Sequence, residues 1–139
     1  ESIRAIIAQK NGNEVKKHPK AGLEILELKS NVDSLCLKIV AQHHENHNGT
    51  GYPYGLGGSD IHLFGSIARI IDVYDAMTSN RSYAAAKRPF AALAEMKAKM
   101  PGCFNEELLK EFIYFLGAKD SRNKPRPNDT LITSPSLAK

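Results

Sequence analysis

The chain has 139 residues, of which 42% are hydrophobic and 24% charged, a balance that suits one globular domain large enough to bury a core. No apolar run approaches the roughly 18 residues that span a bilayer, and Glu1-Ser2-Ile3-Arg4 lacks the pattern of a signal peptide. Of the net charge of +4, residues 118–139 carry +3, so the excess of base does not make the body of the chain a DNA- or RNA-binding surface.

Five amphipathic segments follow one another. The first predicted helix runs from about Glu14 to Leu28, with Val15, His18, Gly22, Ile25 and Leu26 along one side. The second, from Asn31 to His44, has the strongest periodicity: Val32, Leu35, Cys36, Ile39, Val40 and His43 form one stripe behind an Asn31 cap. A third spans Phe64 to Met77 and carries Ile67, Ile70, Ile71 and Tyr74. Pro89 suits the first turn of a fourth, which Pro101-Gly102 closes near Met100. Asn105 caps a fifth, Glu106 to Leu116, which Gly117 is expected to stop. No segment alternates with a period of two. The fold class is all-α, a compact bundle of about five helices.

Two stretches stand apart. Residues 45–63 hold five glycines and one proline, a connection far longer than an ordinary helix–helix loop. Tyr52, Tyr54, Leu56, Ile61, Leu63 and Phe64 give it apolar surface to bury, so it reads as an ordered functional loop. Residues 118–139, with three prolines and many Ser, Asn, Thr and Lys, read as a basic tail or linker behind a helical domain at 1–117. Cys36 and Cys103 form no C-x-x-C and lie in apolar surroundings, as small buried hydrophobes of a reducing, cytoplasmic compartment do.

The chemistry gathers at His43, His44 and His47, followed by Asp72 and Asp75 on the third helix. Adjacent helical side chains point about 100° apart and do not easily share one ion from one face. They can each serve one ion of a close pair, the arrangement that clamps a phosphoryl group between metals about 3.5–4 Å apart. Imidazole with carboxylate suits Fe, Mn or Zn better than Ca or Mg. A metalloprotease H-E-x-x-H is absent, because His44-Glu45 is followed by His47 one position too early.

The run His43-His44-Glu45-x-x-Asn48-Gly49-x-Gly51-Tyr52-Pro53 strongly resembles the HD-GYP domain of the HD phosphohydrolase superfamily. The resemblance continues through Arg69-Ile70-Ile71-Asp72-Val73-Tyr74-Asp75-Ala76-Met77-Thr78-Ser79 and Arg81-Ser82-Tyr83, with His18-Pro19-x-x-Gly22 upstream, and covers roughly residues 14–117. It implies an all-helical fold, two or three divalent metal ions (Fe or Mn), and hydrolysis of cyclic dinucleotides, chiefly cyclic di-GMP, in bacterial signal transduction. A sensor or receiver domain is the implied partner in the full-length protein. By the same resemblance His18, His43, His44 and Asp72 match metal ligands. Gly51, Tyr52 and Pro53 match the loop bordering the substrate, and Arg81 matches a phosphate-contacting arginine. Asp75 is read instead as bracing the helix end or Arg81.

Departures accompany the match. The family's His-Asp pair is not found ahead of His18, Asn48 stands where Asp is usual, and Ala84 replaces a basic residue, with Lys87 and Arg88 further on. Two ions need about eight to ten contacts, more than four protein ligands provide. The expectation is a fragment of a cyclic-dinucleotide phosphodiesterase whose 139 residues alone bind metal weakly and hydrolyse little. The alternative is a degenerate domain acting as a non-catalytic regulatory or partner-binding module. A third reading, a phosphohydrolase for another nucleotide, is disfavoured by the intact Gly51-Tyr52-Pro53.

Overall fold

A computed structural model of the chain describes residues 16–29, 31–80 and 85–122, and the side chains among them up to Gly117. Helix α1 is His18–Glu27, with Pro19 in its first turn, where a missing N–H costs nothing. The predicted start at Glu14 lies outside the described residues. Helix α2 is Ser34–Gln42. Its cap is Asp33 and not Asn31: Asp33 is extended, and its Oδ1 accepts from the Leu35 N–H at 2.7 Å. Asn31 lies too far ahead of Ser34 to reach that turn.

Helix α3, Leu63–Thr78, begins at His62, whose Nδ1 accepts from the Phe64 N–H at 3.2 Å. Helix α4, Pro89–Lys99, opens on its proline and places Lys97 and Lys99 in its last turn, where the helix dipole favours cations. Helix α5 starts behind Asn105, whose Oδ1 accepts from the Leu108 N–H at 3.1 Å, and spans Glu106–Arg122. It continues through Gly117, where the sequence predicted a stop. One glycine inside a helix costs only about 1 kcal/mol relative to alanine, too little to end a helix whose neighbours keep bonding.

Among the described residues there is no strand, and the only extended pairing is one antiparallel bridge between Asn48 and Gly57. The all-α expectation holds. Helix α3 is the centre of the arrangement: α2 packs against it, as do α4 and α5, while α1 packs on α2. Ile70 and Val73 of α3 join Leu93 and Met96 of α4, Phe104, and Leu109 of α5 in one buried apolar cluster. That cluster anchors α3 and so fixes the direction of its other residues.

The joint between α2 and α3 is polar. Gln42 is buried, and its Oε1 accepts from the His62 N–H at 2.8 Å, tying the end of one helix to the start of the next. Gly65 makes that approach possible, since a Cβ there would lie 2.8 Å from the Gln42 Cβ. The predicted apolar stripe of α2 is less covered than its periodicity suggests, with Leu35 and Ile39 exposed. Cys36 is likewise exposed and Cys103 half-buried, both as free thiols, so Cys36 is not the buried hydrophobe expected.

Candidate metal centre

Helix α2 ends at Gln42, and His43 and His44 follow in the turn that leaves it. His43, the C-cap, keeps helical backbone angles with its N–H on the Ile39 carbonyl, and His44 lies one residue further into the turn. Their rings sit 4.2 Å apart, centroid to centroid. The packing of α1 on α2 adds His18, the first residue of α1. Its Nε2 is 3.0 Å from His43 Nε2 and 3.2 Å from His44 Nε2. Three ring nitrogens from three sequence positions therefore meet at one point.

The far side of each ring says which nitrogen carries the proton. His43 Nδ1 lies 2.9 Å from the Val40 carbonyl, an acceptor only, so its N–H is at Nδ1 and a lone pair remains on Nε2. His44 Nδ1 faces Asp72 Oδ2 at 3.7 Å, which favours the same tautomer. Two lone pairs thus point at His18 Nε2, an arrangement that a proton on that nitrogen satisfies and that a cation among the three rings would satisfy equally. Burial, helped by neighbouring His43, lowers the His44 pKa to about 4 against the pull of Asp72, with His18 and Arg69 lowering it further. At neutral pH His44 is therefore uncharged. The three histidines offer donor atoms all within 4.8 Å of one another, so the residues present fit a divalent metal ion.

Asp72 is not among the converging atoms. It stands on α3 at the opposite nitrogen of His44, with its side chain 42% exposed. Asp75, one turn on, accepts from Ser79 Oγ at 3.1 Å and braces the C-terminal end of α3. Lys87 is engaged by Glu95 and does not stand free to hold a phosphate. Arg81 lies outside the described residues.

The glycine-rich loop closes over His44. Tyr52 stacks on the His44 ring, and the Tyr52 N–H donates to the His44 carbonyl at 3.2 Å. Gly51 is forced by the approach: a Cβ there would fall 2.3 Å from the Asn46 nitrogen and 2.5 Å from the Glu45 Cα. Pro53 follows through a cis peptide bond.

What orders this loop is mostly Glu45. It is 1% exposed, and its carboxylate accepts from the Tyr54 N–H at 2.7 Å and the Leu56 N–H at 3.0 Å. Ile61 is buried as expected, but Tyr54, Leu63 and Phe64 are exposed. Asn48 fills its unusual position with hydrogen bonds, its Oδ1 accepting from the Thr50 N–H and, at 2.6 Å, the Thr50 hydroxyl. The start of the loop is pinned to the α4–α5 turn, with the His47 and Asn48 N–H groups donating to Cys103 and Gly102 carbonyls.

Two residues near the histidines have roles that the sequence did not reveal. Glu45 appeared only as part of a motif, although a carboxylate directly after two histidines and ahead of a glycine-rich loop is a natural acceptor for that loop's backbone. Arg69, three residues before Asp72 and so on the same face of α3, donates from Nε to Asn46 Oδ1 at 3.1 Å. Its charge is felt at both His44 and Tyr52. That spacing was readable in the sequence.

Residues 7–102 match the family model described as HD domain. The chain is 34% identical over 103 residues to a cyclic di-GMP phosphodiesterase of Pseudomonas aeruginosa, covering 74% of this chain and 25% of the relative. It is 39% identical over 94 residues to the cyclic di-GMP phosphodiesterase response regulator RpfG of Xanthomonas campestris, covering 67% of this chain and 25% of the relative. Over 70 residues it is 43% identical to the 3′3′-cGAMP-specific phosphodiesterase 2 of Vibrio cholerae, covering 50% of this chain and 13% of that protein. The chain spans about a quarter of the length of the first two relatives. With its paired histidines, the Gly51-Tyr52-Pro53 loop and the aspartate of α3, the chain belongs to the HD domain family and is an HD domain of the HD-GYP type.

Proposed function

We propose that this domain is the catalytic part of a metal-dependent phosphodiesterase that hydrolyses cyclic dinucleotides, cyclic di-GMP foremost, in bacterial signalling. The observation that carries this reading is the meeting of three imidazole nitrogens, one of them on the ring against which Tyr52 stacks. His18, His43 and His44 would hold a divalent ion, Fe or Mn, and Asp72 would offer its carboxylate at the edge of the same site, where a second ion of a pair would need it. Bound there, such ions supply a Lewis acid for the phosphate and an activated water.

The remaining work falls to the chain itself. The Val40 carbonyl and Asp72 favour the proton on Nδ1 of His43 and His44, which leaves both Nε2 lone pairs on the side of the cluster. The low pKa of His44 keeps a proton from competing for its ring at neutral pH. Gly51, Tyr52 and Pro53 would border the substrate, with the glycine allowing close backbone approach. Arg81 would meet a phosphate with its guanidinium fork. The relative named as a response regulator supports coupling to a sensor or receiver domain in the full-length protein. Among the described residues no helix is long and apolar enough to cross a membrane. The likeness to a response regulator supports a cytoplasmic place for the domain.

The deciding experiment measures cyclic di-GMP hydrolysis by the full-length protein with added Mn or Fe. Turnover that is abolished by a chelator and by His44→Ala supports the reading. A metal-loaded protein that leaves cyclic dinucleotides intact overturns it.

A further inference from the structure

A cyclic dinucleotide carries two phosphodiesters, so a site that cuts one must also accommodate the other. Beside the histidine cluster lies a cleft of about 470 Å³, lined by the entry to α1 and the turn of the glycine-rich loop. Its size falls within the roughly 300–1,000 Å³ of small-molecule sites. The wall contributed by α1 and the two residues before it holds Lys16, Lys17, Lys20 and one carboxylate, Glu24, while Tyr52 and Pro53 form the other wall. Lys16 Nζ stands 5.9 Å from the centre of the Tyr52 ring, and Lys20 Nζ stands 5.4 Å from that of Tyr54. Among the described residues none of the three lysines has a carboxylate within 4.0 Å.

Exposed lysines are ordinarily just a solvated face. Three features set these apart. They line a concavity, no described carboxylate lies within 4.0 Å of any of them, and Lys16 shares Tyr52 with the histidine cluster. His44 stacks on Tyr52 and Lys16 stands near the same ring, so a ligand held at the histidines reaches the lysines across a single side chain. The chain's order enforces the adjacency, since Lys16 and Lys17 directly precede His18 and Lys20 follows it by two positions.

We propose that this cleft binds the half of the cyclic dinucleotide that is not being cut. Lys16, Lys17 and Lys20 hold its phosphate, and Tyr52 and Tyr54 offer ring surface to its base or ribose. The assignment rests on the phosphodiesterase reading and adds to it where the second nucleotide sits. It makes the lysines determinants of affinity for a two-phosphate substrate, a role that a single-phosphate substrate does not call on to the same degree.

The test compares two substrates in the full-length, metal-loaded protein: cyclic di-GMP, and bis(4-nitrophenyl) phosphate, which has one phosphodiester and no second half. In a variant with Lys16, Lys17 and Lys20 all changed to Ala, kcat/KM for cyclic di-GMP falls at least roughly tenfold more than that for the small diester, mainly through KM. Changing all three to Arg restores most of the loss. Thermal melting checks that both variants fold. Equal losses on both substrates, or none on either, overturn the proposal and leave the phosphodiesterase reading intact. A parent protein that cleaves the small diester but neither cleaves nor binds cyclic di-GMP overturns the substrate reading, and the second-half site with it.

Discussion

The Tyr52 ring lies almost parallel to that of His44, with centroids 4.7 Å apart and planes 21° from each other. One face of the tyrosine is therefore already spent on a histidine, and only the other can meet a nucleotide base. The residue acts first on the orientation of His44. Groups that orient a metal ligand typically contribute about 10–100-fold in metal affinity. Tyr52→Ala should accordingly weaken manganese binding by about tenfold, read by calorimetry before any nucleotide is added. Tyr52→Phe keeps the stacked ring and should stay within about twofold of the parent. Unchanged manganese affinity in Tyr52→Ala would confine the tyrosine to the substrate.

Metal should stabilise the fold. A ligand present at a hundred times its Kd adds about 2.7 kcal/mol to the free energy of unfolding. Manganese at that concentration should raise the melting temperature of the parent and leave that of His43→Ala nearly unmoved. An equal rise in both proteins would place the bound ion away from the histidine cluster.

Glu45 is the most consequential buried polar side chain. Its carboxylate accepts two backbone N–H groups, and hydrogen bonds to charged groups are worth roughly 1.5–3 kcal/mol each. Glu45→Gln keeps the shape, but it removes the charge and turns an amide N–H₂ toward one of the two donors. A loss of about 2–4 kcal/mol in chemical denaturation is expected. A loss below about 0.5 kcal/mol would mean that other contacts hold the loop.

Gly51→Ala tests the close approach of the two backbone segments. The added methyl would collide with main-chain atoms of Glu45 and Asn46, which cannot rotate away as a side chain could. Overpacking of this kind costs about 1–3 kcal/mol, and the strain falls directly beside His44. Stability and manganese affinity should drop together. A variant as stable as the parent would show that the loop can lift at little cost.

Much of this was legible beforehand because helix signals are local. Pro89, Asn105 and the apolar spacing of α3 are each read within a few residues, and the structure places helices there. The misreadings also have local causes. Asn31 and Asp33 are both good capping residues, and only the backbone conformation at Asp33 decides between them. Gly117 is a common helix terminator, yet its cost is small enough for α5 to continue past it. The candidate site was legible as a set of residues but not as an arrangement. Periodicity takes His43 and His44 as helical neighbours, whereas the helix has ended one residue earlier. Glu45 escaped notice because its partners are N–H groups 9 and 11 residues away, which no side-chain pattern displays.

Three consecutive residues divide between two tasks: His43 and His44 face the cluster, and Glu45 holds the loop. The Tyr52 N–H also returns to the His44 carbonyl. The backbone that would select a nucleotide is thus fastened by a direct hydrogen bond to the backbone that would grip the metal. A family that diversifies its substrates on this scaffold cannot reshape the loop without disturbing the ion beneath it. New nucleotide preferences would arise more freely along the lysine side of the cleft, where side chains change without moving Glu45. In the laboratory, selections for altered base specificity should gather substitutions around positions 16–24, leaving 43–45 and 51 untouched.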